Sequence, residues 1–509
     1  MYSTVMTAML DGIHAVLVRV EVDISAGLPA FEMVGYLSSE VREAKERVRT
    51  ALHNCGMVLP AKRITINLSP ANIRKSGTGF DLPIAVALMA AMGQIEQKSC
   101  QDILFSGELN LSGALLPVRG VLPVVSDGLE NGVKTFVIPK NNLREAGLVE
   151  GAKVCGFSSL TEVIAFLKEG ECSFQELPEK KKKAESKSVD FSEVNGQVFL
   201  KRAAEIAACG MHNMLIVGPP GTGKTMISER IATILPPLTE KERLELSKIY
   251  SVCGLLSDAD ALLSERPFRS PHHTISPAGL SGGGADPRPG EISLAHHGVL
   301  FLDELPEFAK STLEILRQPL ESRRIHITRV WGSVTYPSDF LLLASMNPCN
   351  CGYYPDMQKC RCTPASLKRY LGHLSQPLLD RMDICVQAPS VSYEELVGTG
   401  VNESSESVRE RVCDCHEIQL KRFRNENFCH NSSIPPSLLK EYCYLGEKQQ
   451  QYMEKIYHKM SLTARTYHKI LRVARTIADA GRADEIRLQD LQEAVCYREV
   501  DKQFWGGGR

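Results

Sequence analysis

Short runs of apolar residues recur in the middle of the chain, with almost no polar positions inside them. They lie at residues 214–217, 298–302 and 340–346, and their length and composition are typical of strands buried on both faces. A glycine-rich segment follows the first run, and residues 226–235 then repeat apolar positions with helical spacing. The pattern predicts an α/β core whose buried strands end in loops that carry polar side chains.

The first 170 residues show a different alternation, in which residues 16–24 resemble a half-buried strand. An α+β unit is therefore predicted over residues 1–170. Its predicted elements are strands at 16–24, 64–68 and 134–140, helices at 39–52 and 81–92, and a hairpin at 105–118.

Residues 171–189 break both patterns, since they are charged and have no apolar periodicity. This composition predicts a flexible linker, although its lysine run leaves open a second interpretation as a basic tether for DNA phosphates. The α/β core is predicted over residues 190–389, and a helical domain over 390–509. Predicted helices of that domain include 461–480 and 488–500, with a frayed tail from Phe504 onward.

The glycine-rich segment fits the phosphate-loop pattern of glycine, four residues, then Gly-Lys-Thr. Glycines let backbone N–H groups surround an anion, and the N-terminus of the following helix adds a partial positive charge. Lys224 is placed to reach the β- and γ-phosphates, and the Thr225 hydroxyl to hold Mg²⁺. A simple glycine-rich turn needs neither residue, so the segment predicts a nucleoside triphosphate site. Its residues are Gly218, Pro219, Pro220, Gly221, Thr222, Gly223, Lys224 and Thr225.

The next two apolar runs end in residues suited to hydrolysis. Asp303 and Glu304 follow the second run, at the strand end where ligands of open α/β sheets bind. Asp303 would hold Mg²⁺ through a bound water, and Glu304 would polarise the water that attacks the γ-phosphate. Asn347 follows the third run and can orient that water or sense the γ-phosphate. An asparagine after a strand is usually a turn residue, but this order of motifs favours a functional one.

Two arginines farther along the chain suit a phosphate, because their charge is permanent and their donors match phosphate oxygens. Arg381 lies in a Leu-Leu-Asp-Arg-Met-Asp segment, and Arg465 opens a helical segment. Taken alone, either arginine would more simply form a surface ion pair.

In this order the motifs resemble those of an AAA+ ATPase, with Walker A at 218–225, Walker B at 299–304 and sensor 1 at Asn347. On this resemblance Arg381 is an arginine finger and Arg465 is sensor 2. The resemblance implies an αβα core with a parallel sheet beneath a helical lid, and ATP and Mg²⁺ as ligands. It also implies a homo-hexamer in which Arg381 reaches the neighbouring subunit's γ-phosphate, while Arg465 lines the same nucleotide as the Walker residues.

The resemblance is narrower in three segments, which look like the magnesium-chelatase-like branch of AAA+ proteins: 266–276, 286–297 and 347–352. Nearly the whole chain resembles the ComM/YifB family. That family implies a hexameric DNA helicase that drives branch migration in recombination or natural transformation. Its expected partner is single-stranded or branched DNA, and no porphyrin is expected. The alternative is a chelatase-like or chaperone-like ATPase that remodels a protein partner.

The N-terminal unit resembles the Lon-protease domain, particularly around the hairpin and up to Lys140. Lon proteases use a serine activated by a lysine. The corresponding loop reads Ser-Gly-Thr-Gly-Phe-Asp from Ser76 and lacks the family's Ser-Ala-Gly, and Leu122 occupies the lysine position. A leucine cannot deprotonate a hydroxyl, so the protein is not predicted to be a peptidase.

Four cysteines lie close together just after Asn347, as two Cys-x-Cys pairs. Tetrahedral structural zinc favours four thiolates, although one residue between paired cysteines is fewer than usual. Structural zinc is the preferred prediction and free thiols are the alternative. The residues are Cys349, Cys351, Cys360 and Cys362.

Two adjacent histidine pairs, at 272–273 and 296–297, invite a metal interpretation. Neighbouring side chains on a strand point to opposite faces, so each pair would supply at most one ligand to one ion. Structural, hydrogen-bonded histidines are therefore predicted.

Residues 325–336 predict a hairpin whose tip includes Arg329 and Trp331. An exposed arginine beside a tryptophan offers phosphate pairing and base stacking, which suits single-stranded DNA. The alternative places Trp331 against a neighbouring subunit. A second flexible segment, rich in glycine and proline, lies at 276–290.

Composition sets outer limits on these predictions. The chain has 509 residues, enough for about three domains, and a net charge of −1, so any DNA surface must be local. Its sixteen cysteines are predicted to be reduced thiols or metal ligands. No apolar run is long enough to span a membrane and no signal peptide is recognisable, so a cytoplasmic protein is expected.

Overall fold

The structure is a computed structural model that describes residues 1–170, 189–256, 262–284, 287–329, 332–389 and 402–505. Nearly all of the linker predicted at 171–189 lies outside these residues. Two large sheets organise the described chain, one with seven strands and one with five.

The seven-stranded sheet forms the centre of the N-terminal unit. Alternate residues of its long strands are buried, as the period-two sequence pattern requires. The elements of the unit are β1 (Tyr2–Asp11), β2 (His14–Ser25), β3 (Ala30–Val34), α1 (Ser39–Asn54), β4 (Arg63–Ser69), α2 (Asp81–Ala91), β5 (Ile103–Phe105), β6 (Glu108–Leu109), β7 (Leu115–Leu116), α3 (Val121–Glu130), β8 (Thr135–Pro139), α4 (Leu143–Ala146), β9 (Lys153–Phe157) and α5 (Leu160–Glu169).

The strand order is β3-β4-β2-β1-β5-β8-β9, with antiparallel pairing only around β2. Helices α1 and α2 pack with Val5 on one face, and α3 packs with Ala8 on the other. The predicted strands and helices are present. The hairpin predicted at 105–118 is smaller than expected, because β5 joins the main sheet and only β6 and β7 pair with each other.

The second sheet, entirely parallel, forms the centre of the core. Its strands are buried on both faces: Met214 and Ile216 pack into one apolar cluster, and Leu215 and Val217 into another. This double burial explains the uninterrupted apolar runs. The elements of the core are α6 (Val198–Gly210), β10 (Met214–Val217), α7 (Lys224–Ile234), α8 (Glu240–Cys253), β11 (Phe268–Arg269), α9 (Pro277–Ser281), β12 (Gly282–Gly283), β13 (Arg288–Pro289), α10 (Glu291–Leu294), β14 (Val299–Leu302), α11 (Lys310–Ile315), α12 (Arg317–Ser322), β15 (Arg324–Arg329), β16 (Gly332–Pro337), β17 (Leu341–Met346), α13 (Pro364–Leu371), α14 (Gln376–Leu379) and β18 (Ile384–Gln387).

The strand order of the core is β11-β14-β17-β10-β18. It places β14, β17 and β10 side by side, with Val217 opposite Met346 and Leu302 opposite Ala344. The carboxyl ends of these three strands carry the glycine-rich loop, the Asp-Glu pair and Asn347. Three motifs that are distant in sequence therefore meet at one end of the sheet, where open α/β sheets bind ligands.

Helices from residue 405 onward cover one side of the core and share an apolar cluster with it. The prediction that the tail is frayed from Phe504 onward is wrong for Phe504 itself. This side chain is only 6% exposed, and its ring centroid lies 5.8 Å from that of Tyr354. These helices are α15 (Ser405–Arg422), α16 (Leu439–Tyr442), α17 (Glu447–Met460), α18 (Ala464–Ala480), α19 (Leu488–Cys496) and α20 (Glu499–Trp505).

The N-terminal unit is in contact with the core at two places. Helix α3 packs against α8. The tight turn between β1 and β2 places Ile13 in the same apolar cluster as Val334 and Tyr336 of β16. Gly12 precedes Ile13 with a φ of +67°, and a Cβ atom there would lie 3.0 Å from the carbonyl oxygen of Thr335, so this approach requires glycine.

Candidate nucleotide site and its surroundings

The glycine-rich loop joins β10 to α7, whose first residue is Lys224. Gly221 and Gly223 have φ values of +76° and +78°, the left-handed region that glycine enters without strain. The amine of Lys224 donates to the carbonyl oxygens of Gly218 and Pro219, both at 2.8 Å, and lies 3.3 Å from Oδ1 of Asn347. Burial lowers the pKa of Lys224, and the carboxylates of Asp303 and Glu304 partly oppose this effect.

Oxygen atoms cluster at the start of α7. The hydroxyl of Thr225 donates to Oδ2 of Asp303 at 2.9 Å, and the buried hydroxyl of Ser345 donates to the other carboxylate oxygen. Hydroxyl and carboxylate oxygens are the ligands that Mg²⁺ prefers, so this donor set fits the ion. The sequence interpretation missed Ser345, whose signal was a polar residue inside the third apolar run.

Glu304 is exposed and faces the same end of the sheet. Its φ of +53° lies in the left-handed region, which costs energy for a residue with a Cβ atom and is common at functional sites. Its backbone N–H donates to Oδ1 of Asp303 at 3.0 Å, and its carboxylate lies 3.7 Å from Nδ1 of His273. A carboxylate held in this way can polarise a water, and His273 is a neighbour that the sequence interpretation did not assign to it.

Gln197 lies beside the phosphate loop, at the start of the core. Its side-chain N–H₂ group donates to the carbonyl oxygens of Thr222, at 3.2 Å, and Pro389, at 2.8 Å. The start of the core thus contacts the phosphate loop through Gln197.

Arg381 and Arg465 lie together, apart from the phosphate loop. Both line a cavity of about 550 Å³ between the core and the helices above it, together with Arg323, Lys469 and Arg472. Arg465 lies 3.3 Å from the carboxylate of Asp380, and Arg381 pairs with Glu321.

No residue from 218 to 225 lines this cavity. Arg465 therefore lies apart from the phosphate loop of its own chain in this structure, because the first turn of α18 lies beside Asp380. Which subunit's nucleotide Arg465 serves stays a prediction.

The four cysteines after Asn347 have converged. The Sγ atom of Cys349 lies 3.2 Å from that of Cys351 and 3.8 Å from that of Cys360, and the last two are 3.6 Å apart. The Sγ atom of Cys362 lies within 4.8 Å of the other three. Thiolates on one tetrahedral zinc ion, at bonds of about 2.3 Å, lie roughly 3.8 Å apart. Hydrogen bonds from the backbone N–H groups of Tyr353 and Arg361 lower the pKa of Cys351 to about 6, which favours the thiolate. The residues therefore fit a single tetrahedral metal ion.

Neither histidine pair lies on a strand, so the prediction that neighbouring histidines point to opposite faces is wrong. The rings of His296 and His297 have centroids 3.7 Å apart, and both approach Glu245. Nδ1 of His296 accepts the backbone N–H of Asp339 at 3.0 Å, so the neutral ring carries its proton on Nε2, the atom facing Glu245. A protonated nitrogen cannot ligate a metal, and these contacts are those of structural histidines.

The hairpin predicted at 325–336 is present as β15 and β16, with Arg329 opposite Gly332. Trp331 lies outside the described residues. Nε of Arg329 donates to the carbonyl oxygen of Gly284 at 3.2 Å, so the hairpin adjoins the glycine-rich segment that contains β12 and β13. Arg324, His326 and Arg329 are exposed on β15.

The sequence matches three family models with the descriptions "Subunit ChlI of Mg-chelatase" at residues 20–142, "Magnesium chelatase, subunit ChlI" at 190–396, and "Magnesium chelatase, subunit ChlI C-terminal" at 402–498. It is 43% identical over 501 residues to the uncharacterized protein YifB of Escherichia coli, covering 98% of this chain and 97% of that protein. It is 41% identical over 498 residues to the competence protein ComM of Haemophilus influenzae, covering 96% of each. The chain belongs to the ComM/YifB family.

ComM/YifB proteins are magnesium-chelatase-like AAA+ proteins, and this membership points to an ATPase that uses ATP and Mg²⁺. AAA+ proteins are usually oligomeric. In the part of the chain that the structure describes, no helix has the length and apolar content needed to cross a membrane.

A more distant likeness, 29% over 153 residues, connects this ComM/YifB chain with Lon protease 2 of Bacillus subtilis, covering 28% and 27% of the two chains. Leu122, at the position expected of the lysine, is fully buried. The nearby Lys75 is also buried, and its amine donates to the carbonyl oxygens of Pro70 and Ile73. This amine is committed to backbone carbonyls, which gives it a structural role beside Ser76.

Proposed function

We propose that this ComM/YifB protein is a hexameric motor that hydrolyses ATP to move DNA, as a helicase for branch migration in recombination or natural transformation. One observation carries the ATPase part: residues that follow three separate strands meet in pairs, with Lys224 3.3 Å from Asn347 and Thr225 2.9 Å from Asp303. A cytoplasmic location belongs to the proposal, because ATP and DNA are both found there.

Each residue of this group has a separate role. Lys224 exchanges its two carbonyl partners for the β- and γ-phosphates, and Asn347, already beside the amine, orients the attacking water. Thr225 and Asp303 would hold Mg²⁺, which neutralises the charge that develops on the phosphates. Glu304 polarises the water and accepts its proton.

Arg381 and Arg465 act on the nucleotide of the neighbouring subunit. Their common cavity is lined by five basic and four acidic side chains and by no residue of the phosphate loop of their own chain. Their guanidinium groups match phosphate oxygens, and a permanent charge is what a developing negative transition state needs. A ring assembled in this way completes each site with arginines from the next chain, and hydrolysis then depends on assembly.

Local charge supports DNA as the polymer that is moved. The exposed side chains of Arg324 and Arg329 lie on one hairpin, next to a glycine-rich segment. The name of one relative connects the family with competence, the state in which bacteria take up DNA. Trp331, which lies outside the described residues and which the sequence predicts at the tip, would stack on a base.

Zinc is the final part of the proposal. The sulfur separations at Cys349, Cys351 and Cys360 match the edges of a tetrahedral site, and Cys362 completes the set. Zinc bound there is structural, since four protein ligands leave no open position for a substrate.

The test of DNA as cargo is the rate of ATP hydrolysis with and without single-stranded and forked DNA. Both should raise the rate, and salt should weaken DNA binding, because each neutralised phosphate releases counterions. Arg329→Ala and Trp331→Ala should reduce stimulation and leave basal hydrolysis unchanged, with a loss of about 1–3 kcal/mol for the stacked base. Arg49→Ala, at an exposed arginine of α1, is the matched control. Failure of DNA to bind at low salt with ATP would favour the protein-remodelling alternative.

A further inference from the structure

The four-cysteine loop touches the phosphate loop directly, through Gly352 and Pro220. A Cβ atom placed on Gly352 would lie 2.6 Å from Cδ and 3.0 Å from Cγ of Pro220. Gly352 also has a φ of +83°, which residues with a side chain rarely adopt. Only glycine permits this contact, and the contact falls in the middle of the loop whose N–H groups are arranged to surround phosphates.

The turn that presents Gly352 is formed by the first cysteine pair. The N–H of Gly352 donates to the carbonyl oxygen of Cys349 at 3.0 Å, and the N–H of Tyr354 donates to its Sγ at 3.4 Å. Apart from Tyr354, whose ring centroid lies 5.8 Å from that of Phe504, apolar packing gives this segment little support, because Tyr353 is 45% and Met357 is 73% exposed. The sulfur cluster is therefore the centre about which the loop is organised.

The same loop meets the nucleotide site at a second point, because it begins at Asn347. Oδ1 of Asn347 lies 3.3 Å from the amine of Lys224, and its carbonyl oxygen accepts the hydroxyl of Tyr370 at 3.1 Å. The loop thus contacts Pro220, which precedes Gly221 of the phosphate loop, and begins with Asn347, which faces Lys224.

We propose that a metal ion at the four cysteines sets the affinity for ATP, because the metal fixes the Gly352 turn against Pro220 and so holds the phosphate loop in its binding conformation. Loss of the ion frees the turn, and the phosphate loop then has more conformations to lose when it binds a nucleotide. This inference rests on the zinc proposed above. A single ion fits the site better than an iron–sulfur cluster, since a cluster needs room for several atoms between the thiolates.

The first measurement is metal content and nucleotide affinity in the full chain. Protein purified without added metal should contain about one zinc per chain and little iron, by elemental analysis. Cys349→Ser with Cys351→Ser should lose the zinc and bind a fluorescent ATP analogue about fivefold to tenfold more weakly. Cys429→Ser with Cys496→Ser, which changes two exposed cysteines elsewhere, is the matched control and should keep both properties.

A second pair of variants separates the contact from the metal. Gly352→Ala keeps all four thiols, so it should retain zinc but bind the analogue more weakly, because the new methyl group collides with Pro220. Adding Pro220→Ala removes Cγ and Cδ and should restore part of the affinity. Gly56→Ala is the strain control: Gly56 has a φ of +80°, but nothing lies within 4 Å of its Cβ position.

The outcomes distinguish the two proposals. Wild-type protein without metal would refute the zinc site itself. The proposed effect of the metal on ATP affinity would be overturned by a different result: wild-type protein contains zinc, but the cysteine variant and Gly352→Ala both bind the ATP analogue as tightly as the wild type. The zinc site itself would then remain supported. If the cysteine variant does not fold, the zinc content, affinity and rescue of Gly352→Ala still decide the question.

Discussion

The amine of Lys248 lies 2.6 Å from Oδ1 of Asp127, in an ion pair that joins the core to the N-terminal unit, and each side chain is only 9% exposed. Oδ2 of Asp127 accepts the backbone N–H of Ala15 at 2.7 Å. One carboxylate thus connects α8, α3 and the start of β2. The adjoining turn carries Ile13 against the base of the β15–β16 hairpin. The N-terminal unit is therefore packed onto the part of the core that we propose contacts DNA.

Breaking this ion pair should cost much more stability than breaking an exposed one. Lys248→Met removes the buried ammonium partner of Asp127 and leaves beside the carboxylate the exposed ring of His14, 3.3 Å away; loss of a buried partner typically costs about 3–5 kcal/mol. Arg63→Ala removes an exposed pair with Glu32 and should cost about 1 kcal/mol or less. Denaturant unfolding of both variants measures the difference, and equal stabilities would show that the Lys248 pair contributes little.

Lys224→Ala and Glu304→Gln should separate nucleotide binding from hydrolysis. No other cation contacts the same carbonyls and Asn347 in the described residues, so Lys224→Ala should lose ATP binding. Glu304→Gln keeps the shape of the side chain but not its basicity, so it should bind ATP and hydrolyse it ~10²–10⁴-fold more slowly. Nucleotide titration and single-turnover hydrolysis are the measurements. Undiminished hydrolysis by the glutamine variant would remove Glu304 from its role.

Arg381→Ala and Arg465→Ala should behave alike, because the structure places the two arginines in one cavity. Each should bind ATP in its own phosphate loop but lose turnover. Mixing either variant with Lys224→Ala protein should recover some activity, since mixed rings contain interfaces with one intact loop and intact arginines. A strict monomer that hydrolyses ATP at the full specific rate would contradict this assignment.

His416 should make the protein less stable in mild acid. Its Nε2 lies 2.9 Å from the carbonyl oxygen of Ala208, and burial lowers the pKa of His416 from 6.5 to about 4. Between these pH values the unfolded chain binds a proton that the folded protein does not. Stability therefore falls as the pH falls through this window, by up to about 3 kcal/mol from this residue.

His416→Gln keeps an N–H donor and should flatten the pH dependence of the unfolding free energy between pH 6.5 and 4. His458→Gln, at an exposed position of α17, should leave that dependence as in the wild type. An unchanged slope in the His416 variant would assign the acid sensitivity to other groups.

The sequence by itself determined the strands, the phosphate loop and the chemistry of its neighbours. Buried parallel strands require unbroken apolar runs, and a phosphate loop requires glycines at φ values near +77°, as at Gly221 and Gly223. Both requirements act on residues close in the chain, so they are visible as local patterns. The same holds for the two Cys-x-Cys pairs, whose clustering in one short segment favoured a common metal ion over free thiols.

Only the tertiary structure decided which distant residues meet. Arg465 lies beside Asp380 and in one cavity with Arg381 because of how α18 packs on the core, which no local pattern records. Ser345 joined Asp303, and Phe504 joined the core, for the same reason: strand order and helix packing bring them together. The contact of Gly352 with Pro220 joins residues 132 positions apart, since 352 − 220 = 132. Such contacts follow from the summed packing of many side chains, whereas a motif follows from the stereochemistry of a few.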